Sequence, residues 1–117
     1  MEKKVYLLED DASICELVQC TLDMNSIECE YFTTIKEFLA AMERALPGVV
    51  LLDIMLSDGD GLEVLKHVKT RWPDVSVIML SALSKETDKV KGLNLGADDY
   101  IAKPFGVLEL LVVEVHA

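Results

Sequence analysis

Unbroken apolar runs alternate along the chain with stretches in which apolar residues recur every three or four positions. Val5 to Leu8 form the first run, which ends at Glu9, Asp10 and Asp11. Ile14, Leu17, Val18 and Leu22 follow at helical spacing. Cys29 to Phe32 predict a second strand. Thr34 to Glu37 has the form of a capping box, in which two side chains satisfy N–H groups that a helix start leaves unpaired. The helix it opens has an apolar face of Ile35, Phe38, Leu39 and Met42. Pro47 and Gly48 stop that helix, and Val49 to Leu52 then run straight into Asp53. After the turn-rich SDGDG, Leu62, Leu65, Val68 and Trp72 mark a third helix, broken by Pro73 and Asp74. Val75 to Leu80 predict a fourth strand and Lys85 to Leu95 a fourth helix, ended by Gly96. Tyr100 to Ala102 predict a short fifth strand, and a fifth helix starts at Val107.

Five strand–helix pairs with short turns imply an α/β domain: a doubly wound, five-stranded parallel sheet with helices on both faces. All 117 residues fit one such domain, with no repeat or linker. In such a sheet, ligands sit beyond the carboxyl ends of the strands, where the strand order reverses. Functional side chains are therefore expected where strands hand over to helices.

Those junctions carry a distinctive set. The first strand delivers Glu9, Asp10 and Asp11, the third Asp53, the fourth Ser81 and Ala82, and the fifth Lys103 followed by Pro104. In the order 2-1-3-4-5 the first and third strands are neighbours, so Glu9, Asp10 and Asp53 converge. Close carboxylates repel, and a divalent cation relieves the repulsion; oxygen-only ligands favour a hard ion such as Mg²⁺. Lys103 offers positive charge to a phosphoryl oxygen, Ser81 a hydroxyl donor, and Ala82 leaves room. These parts suit phosphoryl transfer, in which positioning and charge stabilisation do most of the work. Asp53 is the expected acceptor, since carboxylates form aspartyl phosphates. Asp11 is placed as a helix N-cap and Asp58 and Asp60 as turn formers, so the other acidic residues of this region have structural readings.

Composition narrows the partners. A formal net charge of −10 argues against direct binding of nucleic acid, which needs clustered Lys and Arg. Cys15, Cys20 and Cys29 have no metal-ligand spacing and read as reduced thiols. His67 and His116 read as solvated. No apolar stretch approaches membrane-spanning length, and the acidic start does not resemble a secretory signal, so a cytoplasmic location is expected. The last segment, GVLELLVVEVHA, is apolar beyond an ordinary core stripe and ends within a predicted helix, so the natural protein is expected to continue.

The pieces LLEDD, LLDIMLSDGDGLEVL, IMLSA and GADDYIAKPF, in that order and at those spacings, resemble the receiver domains of bacterial two-component response regulators. The resemblance covers essentially the whole chain and implies a flavodoxin-like fold with five helices. It further implies that Asp53 accepts a phosphoryl group from a sensor histidine kinase. Mg²⁺ would be held by Glu9, Asp10, Asp53 and the backbone carbonyl of Met55. Ser81 and Lys103 match the switch hydroxyl and the phosphate-contacting lysine, and Tyr100 the aromatic position that turns inward on activation. The peptide before Pro104 is expected to be cis. GLNLGADDYIAKPF is most similar to the OmpR/PhoB type, which carries a C-terminal winged-helix DNA-binding domain. That type dimerises through the fourth helix, fifth strand and fifth helix, where Lys89, Asp98, Asp99 and Glu109 match charged positions.

The chain departs from the pattern in two places. Val113 and Val115 stand where basic residues are usual, which points to a more apolar or weaker dimer face. Ser57 replaces a common proline, a change expected to loosen its loop without touching the chemistry. Met55 and Leu83 border the expected route of attacking water and cannot orient one, so slow self-dephosphorylation is expected. Two other functions compete. A phosphatase of the haloacid dehalogenase type needs a second Asp two residues beyond the nucleophile, and Met55 stands there. An interaction-only domain with a degenerate site conflicts with the intact Glu9, Asp10, Asp53, Ser81 and Lys103 set.

Overall fold

Periodicity of two in the strands and of three to four in the helices sorts the apolar residues onto two faces of one sheet. A computed structural model describes residues 4–81 and 96–102. Its elements are β1 (Lys4–Leu8), α1 (Ala12–Met24), β2 (Glu28–Phe32), α2 (Ile35–Arg44), β3 (Val49–Asp53), β4 (Met55–Leu56), β5 (Gly59–Asp60), α3 (Gly61–Arg71), β6 (Ser76–Ser81) and β7 (Asp99–Ala102). The predicted helices at 85–95 and from 107 lie outside the described residues. So do Ala82, Leu83, Lys89, Lys103, Pro104, Glu109, Val113 and Val115.

The main sheet is parallel, in the order β2-β1-β3-β6-β7. This is the expected 2-1-3-4-5 order, with a two-stranded antiparallel hairpin, β4–β5, inserted after the third strand. Tyr6, Leu8, Val50, Leu52, Val77 and Met79 share a core with Phe38 and Met42 of α2 and Val64, Leu65 and Val68 of α3. Val5, Leu7, Val49, Leu51, Ile78 and Leu80 share the other with Cys15, Val18 and Leu22 of α1. Alternate strand residues point to opposite faces, so an unbroken apolar run fills both cores.

The helical spacing of Ile14, Leu17, Val18 and Leu22 predicts Leu17 on the inner stripe of α1, but Leu17 is 52% exposed. The small apolar side chain of Cys15 takes the inner position instead, with Val18 and Leu22, and a residue two places on lies roughly 200° around the helix. Thr21 is also inward, its hydroxyl donating to the Leu17 carbonyl (2.8 Å). All three cysteines are thiols. Burial, reinforced by Asp23, Cys15 and Glu30, pushes the Cys29 thiol up to about 12. His67 stands exposed, edge-on to Trp72. No helix among the described residues is long and apolar enough to cross a membrane.

Candidate functional site

The chain reverses direction across the sheet between β1 and β3, which are hydrogen-bonded neighbours. Beyond Leu8, the Glu9 N–H still donates to the Phe32 carbonyl (3.1 Å), so Glu9 leaves the sheet from a fixed position. On β3, Asp53 is the last strand residue and pairs with Leu80, while the Ile54 N–H donates to the Leu80 carbonyl (3.0 Å). Gly61 makes the next turn possible, because a Cβ there would collide with the Asp53 carbonyl and the Ile54 backbone. Its N–H donates to the Ile54 carbonyl (2.8 Å), drawing the start of α3 against the strand end.

Glu9 and Asp53 are buried and Asp10 is exposed. One carboxylate oxygen from each lies within 4.8 Å of the others, as the sequence predicts. Two ionised groups at that separation repel by roughly 3 kcal/mol at an effective dielectric of about 20. Backbone N–H groups offset part of this. Asp11 donates to Glu9 Oε1 (3.2 Å), Met55 to Asp53 Oδ1 (3.3 Å) and Ser57 to Asp10 Oδ2 (2.8 Å). The donor set is all oxygen, two groups are shielded and one faces water, which fits a hard divalent ion that retains several waters.

The other acidic residues of this end are spent on backbone. Asp11 caps α1, accepting from Ser13 N and Ile14 N (2.9 and 3.2 Å). Asp60 caps α3 through Leu62 N (2.9 Å). Asp58 does more than shape its turn: its Oδ2 accepts from Ile35 N (2.8 Å), tying the hairpin to the start of α2. The capping box at Thr34 and Glu37 forms as expected.

Ser57 lies against the site through its backbone: its N–H bonds a carboxylate of the acidic trio. Nothing in the residue type announces this, since the contact uses backbone. Met55 lies on β4 opposite Asp60, its side chain 60% exposed. The backbone of Ser81 sits one row beyond the Asp53–Leu80 pair, at the same end of the sheet, opposite Ala102. Tyr100, half-buried on β7, packs against the core shared with α2 and α3. Asp98 lies just before β7 and is exposed, but its carboxylate is bonded within its own chain. It accepts from Val77 N (2.7 Å) and lies 3.5 Å from Lys69 Nζ, which also donates to the carbonyls of Pro73 and Val75 (3.1 and 2.9 Å). The stem of Lys69 packs on Gly96, and nothing in the sequence marks this role, because a helical lysine reads as solvated.

Fold and site together define a doubly wound α/β domain with an acidic centre at its topological switch point. Residues 5–113 match the response regulator receiver domain family, and the chain belongs to it. It is similar to the phosphate regulon transcriptional regulatory protein PhoB of Escherichia coli strain K12, with 36% identity over 95% of this chain and 49% of that protein. It is also similar to the transcriptional regulatory protein CssR of Bacillus subtilis strain 168, with 38% identity over 96% of this chain and 49% of that protein. Among solved structures, DrrB, an OmpR/PhoB homologue from Thermotoga maritima, superposes with a TM-score of 0.87 at 35% identity, covering 96% of this chain and 50% of that one. The chemotaxis protein CheY4 of Vibrio cholerae superposes with a TM-score of 0.93 at 26% identity over the whole of both chains. The chain is thus a response regulator receiver domain with relatives of the OmpR/PhoB type, and it spans about half the length of the curated relatives it matches.

Proposed function

We propose that this domain is a phosphorylation-controlled switch of a two-component system in which Asp53 is the acceptor. A carboxylate oxygen of Asp53 attacks the phosphorus of a phosphohistidine on a sensor histidine kinase. The P–O bond forms as the P–N bond breaks, and the kinase imidazole leaves and regains its proton from water. The observation that carries the reading is the convergence of Glu9, Asp10 and Asp53 within 4.8 Å at the switch point of a receiver fold. Glu9, Asp10, Asp53 and the Met55 carbonyl would hold Mg²⁺. When bound, the ion offsets negative charge on these carboxylates and on the phosphoryl oxygens. The remaining roles rest on the family pattern: Lys103 pairs with a phosphoryl oxygen, Ser81 donates its hydroxyl, and Ala82 leaves space. A dianionic phosphoryl group then draws Ser81 and Lys103 inward and biases the surface that carries Tyr100.

The domain catalyses only its own phosphorylation and slow dephosphorylation. Its output is regulation of a linked C-terminal DNA-binding effector in the cytoplasm, with homodimerisation through the fourth helix, fifth strand and fifth helix. Support comes from relatives whose names describe transcriptional regulators. Intact-mass measurement after incubation with acetyl phosphate and Mg²⁺ tests the reading. One added phosphoryl group is expected in the wild type, and none after Asp53→Asn or with EDTA. Continuous phosphate release from unrelated phosphomonoesters would contradict it.

A further inference from the structure

The amide of Ser57 is the hydrogen-bond donor to Asp10 that comes from across the site. Asp10 sits on the loop after β1, whereas Ser57 sits at the tip of the β4–β5 hairpin, and the two meet at 2.8 Å. The hairpin is itself anchored at three further points. Met55 N bonds Asp53 Oδ1, Asp58 Oδ2 accepts from Ile35 N, and Asp60 caps α3. The donor is therefore fixed in space by elements that do not depend on Asp10. The Asp10 side chain is exposed and, on a short loop, has rotamers that point away from the other two carboxylates.

From this we infer that the Ser57 amide is a positioning group for the metal site. It holds Oδ2 of Asp10 and leaves Oδ1 for the ion, a role built on having a residue with an N–H at 57. The inference rests on the phosphoacceptor reading above, because it assigns Asp10 as a ligand. Carboxylates that bind metals are themselves oriented by outer hydrogen bonds, and removing such a partner typically costs tenfold or more in metal affinity. Proline is the informative substitution, since it deletes the N–H and the local backbone has no positive φ to forbid it. Leu56 before it is a strand residue, and among the described non-glycine residues only Ser26 has a positive φ, so Ser57 does not need one.

Calorimetric titration with Mg²⁺ reads the effect without any phosphorylation step. Ser57→Pro is expected to weaken binding about tenfold, and Ser57→Ala, which keeps the N–H, to match the wild type. Equal or tighter binding by Ser57→Pro overturns the inference and leaves the phosphoacceptor reading standing. A wild type that binds no Mg²⁺ overturns both. A second measurement needs no variant and so survives any failure of the proline protein to fold. In ¹⁵N-labelled wild type, the Ser57 amide is expected to be protected from exchange and to stay protected at saturating Mg²⁺. Loss of that protection on metal binding would mean that the ion and the amide compete for Asp10, and the inference would fall.

Discussion

Two sets of aspartates share one end of this sheet and do different work. Asp10 and Asp53, with Glu9, point oxygens at one another, whereas Asp11, Asp58 and Asp60 point theirs at the starts of α1, α2 and α3. Residue type and neighbourhood are the same; what differs is whether an end-of-helix N–H is within reach. A helix start leaves its first N–H groups unpaired, and an adjacent carboxylate that satisfies one is committed there. The strand ends of β1 and β3 meet the isolated amides of Asp11, Met55 and Ser57 instead, and an oxygen of each of their carboxylates lies within 4.8 Å of the others.

The sharpest way to break this comparison is to exchange the two sets. Asp53→Asn should abolish phosphorylation, while Asp11→Asn, Asp58→Asn and Asp60→Asn should each be phosphorylated to completion under the same conditions. A smaller effect concerns stability. Asp98 has joined the structural set, and Asp98→Ala leaves the N–H of the fully buried Val77 without its carboxylate acceptor. Urea unfolding of that variant should show a loss of about 2 kcal/mol. An unchanged midpoint would mean that the Asp98–Val77 bond contributes nothing to stability. Asp58→Ala and Asp60→Ala should each cost about 1 kcal/mol, the usual worth of a cap. If either cost nothing, the hairpin would not be anchored as described.

A comparable difference separates Cys29 from Cys20, which is exposed. The folded Cys29 thiol is raised to about 12 from an ordinary value of 9.0, so the unfolded thiol ionises first as pH rises. Its contribution is fully present below pH 9 and is lost between there and about 12, at no more than about 1.4 kcal/mol per pH unit. Cys29→Val should flatten the fall of unfolding free energy with pH in that window. An unaltered slope would remove Cys29 as its source.

Much of this was legible in the residues. Apolar runs ending in acids located β1 and β3 and the cluster at their ends, because burial forbids stray carboxylates in a strand and tolerates them at its mouth. Asp11 and the Thr34–Glu37 box were legible because caps use side chains at fixed offsets. The orientation of α1 was not, since Leu17 and Cys15 are both apolar and only packing chose between them. Asp98–Lys69 and Ser57–Asp10 were hidden for another reason. Each joins segments far apart in sequence through backbone atoms or a residue type that usually faces water.

The most direct test asks which carboxylate at this end of the sheet carries the phosphoryl group. After reaction with acetyl phosphate and Mg²⁺, borohydride reduction converts an aspartyl phosphate to homoserine, and tandem mass spectrometry locates it. Homoserine is expected at position 53 and unmodified aspartate at 10, 11, 58 and 60. Label at any of those four positions, or retained phosphorylation in Asp53→Asn, would contradict it.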